Sequence, residues 1–144
     1  MKIDDSIKAK AEKMRQLIKN TMPERLGIEL TELSADRVSG RMPVNKNTVQ
    51  PMRMLHGGAS VALAETLMSI GAWLNVDEDD KTAVGMEINA NHIRPVEEGS
   101  VVIATAIPIH LGKQTQIWET RITTEDGKLV SVSRCTIAVV KKKV

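Results

Sequence analysis

The sequence predicts an α+β fold in which an antiparallel sheet wraps around one long helix, with an extra helix at the N-terminus. Residues 57–75 form a long stretch that is apolar on nearly all sides, and a helix of this kind is expected to be buried. Residues 82–140 divide into four segments rich in Val, Ile and Thr, separated by short turns. We expect consecutive strands to pair through short hairpins, which lets the sheet surround a single helix.

Residues 4–20 predict an amphipathic helix, with Lys and Arg on its polar face. Its apolar residues recur at helical spacing and are Ile7, Ala11, Met14 and Ile18. Pro23 follows the expected end of this helix. We therefore expect residues 1–23 to form an N-terminal helical segment and residues 24–144 to form the main domain.

The remaining elements are predicted from alternation and turn residues. Residues 27–44 alternate apolar and polar side chains around a turn at 34–36, which predicts two strands, and a polar loop covers 45–54. An acidic loop at 77–80 follows the long helix. The four later strands are expected at 82–93, 100–111, 114–124 and 128–140, with a hairpin turn at Asp126-Gly127.

The composition excludes several classes of protein. Phe and Tyr are absent, which argues against the aromatic stacking platforms of single-stranded nucleic-acid binders. The formal net charge is +2, and the basic run at 141–143 is interpreted as a solvated tail. No signal peptide and no apolar run long enough to span a bilayer is recognised, so we expect a cytoplasmic protein that binds neither nucleic acid nor membrane.

Glu65 is the most informative residue, because it is the only formally charged side chain between Arg53 and Asp77. Burying an unpaired carboxylate is costly, so Glu65 is expected to face a cleft or a charged partner. Ser69 lies four residues on, on the same helical face, where its hydroxyl could hold a water. A Glu that reaches solvent or pairs with a structural Arg is the alternative interpretation.

His56-Gly57-Gly58 begins the long helix and predicts a site for negative charge. The two glycines leave backbone N–H groups uncovered, and the helix dipole favours an anion at this end. An oxyanion formed at a carbonyl group would suit this position. The amide of Gln50, in the preceding loop, could donate to the same oxygen. A plain glycine-rich turn and a solvated Gln are the alternatives.

Other chemistries fit the sequence poorly. The three histidines have no paired-ligand spacing on one element, so no metal is expected. The single cysteine, Cys135, cannot form an internal disulfide, and it shares a strand face with Ile137 and Val139, which predicts a packed thiol rather than a nucleophile. No Gly-x-Ser-x-Gly motif surrounds any serine, and no phosphate-binding loop is present.

The run from Gln50 to Ser60, followed by Leu63-Ala64-Glu65, resembles hotdog-fold acyl-CoA thioesterases. The nearest groups are the phenylacetate-pathway, aroyl-CoA and 1,4-dihydroxy-2-naphthoyl-CoA thioesterases. The segments 85–92 and 110–112 extend the similarity, which covers residues from about 24 to 140 and leaves the N-terminal helix outside. The resemblance implies the hotdog fold, an antiparallel sheet wrapped around the central helix.

The resemblance also implies residue roles. Glu65 would be nucleophile or general base, and Ser69 would help to position water. Gln50, His56 and the Gly57 amide would bind and polarise the thioester carbonyl. The positions that would contact substrate or coenzyme A are Gly85, His92, Arg94, His110, Leu111, Gly112, Lys113 and Thr115. Among these, Arg94 and Lys113 are the natural phosphate partners. No cofactor is implied.

The activity implied is hydrolysis of an acyl-CoA to a free acid and coenzyme A. Resemblance favours an aromatic acyl group, while carrier-protein thioesters and short aliphatic acyl-CoA remain open. A non-catalytic acyl-CoA sensor is the alternative from another class, but such a protein would not need Glu65. A hotdog hydratase would need an Asp close to His56, and no Asp occurs in the following twenty residues.

Helix geometry predicts how the site is assembled. His56 and Glu65 are nine residues apart, which places them on opposite helix faces and separates them by ~13 Å along the axis. If both serve one site, they must come from two copies of the chain related by a two-fold axis. The resemblance implies the same homodimer with shared sites, often as a homotetramer built from two dimers.

Overall fold

A seven-stranded sheet forms one layer of the computed structural model, which describes residues 1–143. In order across the sheet the strands are β1 (Lys2–Ile3), β2 (Glu29–Leu33), β3 (Val38–Pro43), β5 (Val101–Leu111), β6 (Thr115–Thr124), β7 (Leu129–Lys141) and β4 (Lys81–His92). Every neighbouring pair is antiparallel except β1 with β2, which is parallel.

The long helix α3 (Gly57–Leu74) lies against this sheet and contacts all the strands from β3 to β7. A short 3₁₀ turn (Asp5–Ile7), helix α1 (Lys8–Leu17) and helix α2 (Met22–Arg25) precede β2. Both α1 and α2 also contact α3. The central helix is therefore covered by the sheet on one side and by the N-terminal segment on another.

The core lies between α3 and the sheet and consists mainly of Leu, Ile, Val, Met and Ala side chains. Trp118 of β6 is fully buried there, and its indole N–H donates to the Gln116 side chain at 2.8 Å. A Cβ atom added to Gly71 would lie only 2.5 Å from the Trp118 ring. The absence of a side chain at Gly71 therefore lets α3 lie directly on this ring.

The predicted elements of the main domain are present, with boundaries shifted by one or two residues. The predicted N-terminal helix is shorter than residues 4–20, because its first turn is 3₁₀ and α1 ends at Leu17. The two-residue strand β1 was not predicted. It pairs with β2 thirty residues away, and a pairing of this range leaves no local signal in the sequence.

The expectation that consecutive strands pair is correct for β5, β6 and β7 but wrong for β4, which pairs with β7. The connection after β4 explains this. It hydrogen-bonds to the loop before α3, where the Leu55 N–H donates to the Val96 carbonyl at 2.8 Å, and then to the end of β3 through Gly99 and Val44. These contacts carry the chain across the sheet, so β5 starts beside β3.

Ile7 and Ala11 of the N-terminal segment belong to the same core as the α3 residues. The division of the chain after residue 23 stays a prediction. Within residues 1–143, no helix combines the length and apolar content needed to cross a membrane.

Candidate active site

Glu65 lies near the middle of α3, half-buried and directed at strand β4. A Cβ atom added to Gly85 would lie 3.1 Å from Glu65 Oε1, so the carboxylate sits against the bare backbone of that strand. Within residues 1–143, no Lys, Arg or His forms an ion pair with it. Glu65 is therefore an available carboxylate rather than half of a structural ion pair.

Glu65 and Ser69 both line a cavity of about 550 Å³ between α3 and the N-terminal helices. Thr66 and Trp73 of α3 and Ala83 of β4 also contribute to its walls. The cavity thus combines one carboxylate and one hydroxyl from the same helical face with surroundings that are largely apolar. Gln50, His56 and Gly57 are not among its lining residues.

The start of α3 forms a second, separate group. His56 is the N-cap residue, and its Nδ1 accepts a hydrogen bond from the Gly58 N–H at 2.8 Å. In the neutral ring the proton must then lie on Nε2, which becomes a donor. Within residues 1–143 the Gly57 N–H has no acceptor, so it is available to a ligand. The His92 ring covers the other side of Gly57, with Nε2 2.8 Å from where a Cβ would be.

Gln50 belongs to this second group through the loop before α3. Val49 and Leu55 form an isolated antiparallel bridge, and the Gln50 N–H donates to the Met54 carbonyl at 2.8 Å. The Gln50 side-chain oxygen accepts from the Met52 N–H. With that oxygen engaged, the NH₂ group of the amide remains as the donor that Gln50 can present.

The residues predicted to contact substrate fall at opposite ends of the sheet. Gly85 pairs with Ile137 and His92 with Ser131 in the β4–β7 ladder, which separates them by ~20 Å along the strand. Arg94 follows His92, and its N–H donates to the Val130 carbonyl at 3.2 Å.

The turn between β5 and β6 lies at the Gly85 end, because Thr115 pairs with Ala138 beside Ile137. Its residues line a cavity of about 460 Å³: His110, Gly112, Lys113, Gln114 and Thr115. The His110 ring folds over Gly112, and the Gly112 N–H donates to the Thr115 carbonyl at 3.0 Å. The exposed Lys113 is thus presented near Gly85 and far from Arg94.

A β-bulge in β4 decides which of its side chains face the helix. The ladder shifts between Gly85 and Glu87, where Met86 is the extra residue. Residues seven apart on a regular strand point to opposite faces, but the extra residue reverses this parity. Gly85 and His92 therefore both face α3, as do their buried partners Ile137 and Ser131.

Comparison with known proteins identifies the family. A model of the thioesterase superfamily matches residues 52–131. The chain is 50% identical over 125 residues to the putative esterase ComA2 of Bacillus subtilis, covering 87% of this chain and 98% of that protein. The chain belongs to the thioesterase superfamily.

Two further relatives agree. The thioesterase is 46% identical over 122 residues to a protein named 1,4-dihydroxy-2-naphthoyl-CoA hydrolase from Listeria monocytogenes, covering 85% of this chain and 98% of that one. A crystal structure of a mutant of thioesterase PA1618 from Pseudomonas aeruginosa superimposes with a TM-score of 0.86 at 40% identity, covering 91% and 94%. The predicted hotdog fold and thioester hydrolase family are confirmed.

Cys135 of the thioesterase is buried in β7 and faces the core. Burial, together with the nearby charges of Glu65 and Glu87, raises the pKa of its thiol to about 11. A thiol that stays protonated is a poor nucleophile. This environment agrees with the predicted packed thiol. Within residues 1–143, no group of three or more His, Cys, Asp or Glu side chains is arranged to hold a metal ion.

Sequence reasoning missed the residues of the N-terminal helices that line the Glu65 cavity. Besides Met14 and Ile18 of the predicted apolar face, the cavity is lined by Leu17, Thr21, Met22 and Pro23. Leu17 is an apolar residue beside the predicted stripe, and this widening of the apolar face was the available signal.

We predict that Cys135 makes the stability of the thioesterase depend on pH in the alkaline range. The folded-state pKa of about 11 exceeds the ordinary value of 9.0, so stability is fully present below pH 9 and is lost as the pH rises through 11. The loss attributable to this thiol is about 2–3 kcal/mol. Urea unfolding at pH 8 and pH 11 should show a larger fall for wild type than for Cys135→Ala, and equal falls would contradict the prediction.

Proposed function

We propose that this thioesterase hydrolyses acyl-CoA thioesters, with an aromatic acyl group favoured, and that Glu65 is its catalytic carboxylate. The observation that carries the proposal is the unpaired Glu65 carboxylate beside Ser69 in a largely apolar cavity. The name of the Listeria relative, a hydrolase of an aromatic acyl-CoA, supports the substrate class. The cytoplasmic location expected from the sequence is kept as part of the proposal.

The donors at the start of α3 would activate the thioester. The free Gly57 N–H, the His56 Nε2–H and the Gln50 NH₂ group can each donate to the carbonyl oxygen. As attack proceeds, negative charge grows on that oxygen, and fixed donors at a helix N-terminus stabilise it more than they stabilise the neutral carbonyl. Removal of one such donor costs typically ~100–1000-fold in rate.

Glu65 has two routes from this complex. In one, a carboxylate oxygen attacks the carbonyl carbon, the C–S bond breaks, coenzyme A leaves as a thiolate, and water hydrolyses the resulting anhydride. In the other, Glu65 takes a proton from a water held by Ser69, the hydroxide attacks, and the proton passes to the departing thiolate. Both routes give a free acid and coenzyme A.

Either route requires two copies of the chain. The Glu65 cavity excludes Gln50, His56 and Gly57, so a carbonyl held at the start of α3 would not reach Glu65 of the same helix. The free edge of β4 provides a place for a second copy. β4 has 12 residues and no strand neighbour beyond it within residues 1–143, and Val84 and Met86 are 48% and 68% exposed. A long unpaired edge strand favours pairing with another strand.

One register of such a pairing would unite the two halves of the proposed site. In this register two β4 strands pair antiparallel, with Asn89 on the two-fold axis. Because Met86 is the extra residue of the bulge, Met86 and Glu87 count as one position of the pairing. Gly85 then lies opposite His92 of the partner subunit. Glu65 contacts Gly85, and His92 contacts Gly57. This register therefore brings Glu65 close to the oxyanion donors of the other copy.

The same register unites the proposed coenzyme A contacts. Lys113 lies near Gly85, and Arg94 follows His92, so each site would receive the ammonium group of one copy and the guanidinium of the other. Two cations from different chains could then bind the phosphates of one coenzyme A. Each homodimer would hold two such sites, and two dimers would join in the proposed homotetramer.

We predict that Glu65→Gln lowers kcat at least ~100-fold while KM changes little, because the amide keeps the shape but cannot attack or accept a proton. Release of coenzyme A from a benzoyl-CoA substrate measures this. Ser69→Ala should be milder, since other groups can hold the water. Glu125→Gln, which removes an exposed carboxylate in the turn before β7, is the control and should stay near wild type. Near-wild-type turnover by Glu65→Gln would disprove the assignment.

The shared site predicts complementation between two inactive chains. His56→Ala and Glu65→Gln chains, mixed and refolded together, should form about half hybrid dimers, each with one intact site, and recover ~25% of wild-type activity. Subunit exchange is verified by native mass spectrometry. If exchange is complete and the mixture stays inactive, each site belongs to a single chain.

The register predicts a specific crosslink. Directly opposed residues of antiparallel strands have Cα atoms ~4.5–5.5 Å apart, which suits a disulfide. Asn89→Cys should therefore form a covalent dimer on mild oxidation. Asn91→Cys is the control, because its two copies would be ~13 Å apart along the strands. The buried Cys135 is common to both variants. Equal crosslinking of both variants, or of neither, would refute the register.

A further inference from the structure

The N-terminal helix has no part in the chemistry proposed above, yet it forms one side of the cavity that contains Glu65. Helix α1 contributes Met14 and Leu17, Ile18 follows as its C-cap residue, and the start of α2 contributes Met22 and Pro23. The reactive side chains Glu65 and Ser69 stand on the opposite wall, on α3. A group bonded to a carbonyl that reacts at Glu65 would therefore extend toward α1.

The N-terminal wall of this cavity is apolar. Two threonines also line the cavity, Thr21 beside the N-terminal helices and Thr66 on α3. The Thr66 hydroxyl donates to the Ala62 carbonyl at 2.7 Å, and the Thr21 hydroxyl donates to the Ile18 carbonyl. Their hydrogens are thus engaged by helix backbone. The wall presents mainly methyl, methylene and thioether groups, which favour an apolar ligand.

The wall is also firmly attached. Lys10 donates to the Leu74 carbonyl at 3.3 Å and to the Val76 carbonyl, which caps the C-terminal end of α3. Lys13 forms an ion pair with Glu78 at 2.5 Å. Both ammonium groups also lie over the Trp73 ring, 5.7 and 5.9 Å from its centre. These contacts fix α1 along the helix that carries Glu65.

Two apolar side chains at the edge of the cavity remain uncovered. Leu17 is 55% exposed and Met22 is 56% exposed, one from each N-terminal helix. Because both also line the cavity, an apolar ligand that fills it would cover them. The volume of about 550 Å³ lies within the range of ~300–1,000 Å³ typical of pockets that enclose drug-sized ligands. An acetyl group would leave most of it empty.

We infer that helix α1 and the start of α2 form the specificity wall of the acyl cavity, selecting a bulky apolar acyl group by contact with Leu17 and Met22. The inference rests on the proposed function, because it assigns the cavity to the acyl part of the substrate. Leu17 and Met22 are specificity residues and take no part in the chemistry.

The test fills the edge of the cavity and compares substrates of different size. Leu17→Trp and Met22→Trp are assayed against acetyl-CoA, phenylacetyl-CoA and decanoyl-CoA. Both should lower kcat/KM about tenfold for the two bulky substrates and less than twofold for acetyl-CoA, since loss of pocket fit changes kcat/KM by ~10–200-fold. Gln16→Trp, an exposed neighbour of Leu17, is the matched control and should leave all three values unchanged.

The possible outcomes separate the two proposals. If wild type hydrolyses these substrates but both variants lose activity equally on all three, or behave like Gln16→Trp, the wall does not contact the acyl group and the inference is wrong. Faster wild-type turnover of acetyl-CoA than of the bulky substrates would also overturn it. If wild type hydrolyses no CoA thioester, the proposed function itself fails. Because the two tryptophans enter from different helices, a folding defect in one leaves the other as the test.

Discussion

The close approach of α3 to the sheet is the constraint on which the rest of the structure depends. At three positions in this contact a glycine leaves free the space that a side chain would occupy. Gly71 admits the Trp118 ring, Gly40 of β3 lies against Leu67, and Gly85 admits the Glu65 carboxylate. Because the chain has no Phe or Tyr, Trp118 is the one large ring that fills this layer, and Gly71 matches it. The depth of the helix in turn sets how close Glu65 lies to β4.

Because α3 lies close to the sheet, the Glu65 carboxylate is partly buried. A half-buried carboxylate without an ion-pair partner costs folding free energy. A sequence selected for stability alone would place an apolar residue at position 65, as at most neighbouring positions of α3. The charge of Glu65 also acts on the neighbouring strand β7, where it helps to raise the pKa of Cys135. The single carboxylate in this otherwise apolar helix therefore supports the catalytic role proposed for Glu65.

Local patterns predicted most elements, and long-range pairings account for what they missed. The ends of α3 and of β5 to β7 were predictable, because capping residues and turns mark them. The place of β4 beside β7 was not, because it depends on where residues 93–100 bind. Glu65 stood out as a charge in an apolar helix. The sequence shows that Leu17 widens the apolar face of α1, but its place in the cavity depends on how α1 packs against α3. The bulge at Met86 likewise could not be predicted from the sequence, because a shift in strand pairing has no characteristic residue composition.

The bulge in β4 affects both the contacts between β4 and α3 and the dimer proposed above. Without the extra residue, the parity of β4 would turn either Gly85 or His92 away from α3. Glu65 would then meet a side chain instead of a bare backbone, or Gly57 would lose the His92 ring that covers it. With the bulge, both contacts lie on one face of one edge strand. The strand thereby contacts the acidic half of the proposed site at Gly85 and the proposed oxyanion half at His92, and a two-fold axis between these positions would bring the two halves together.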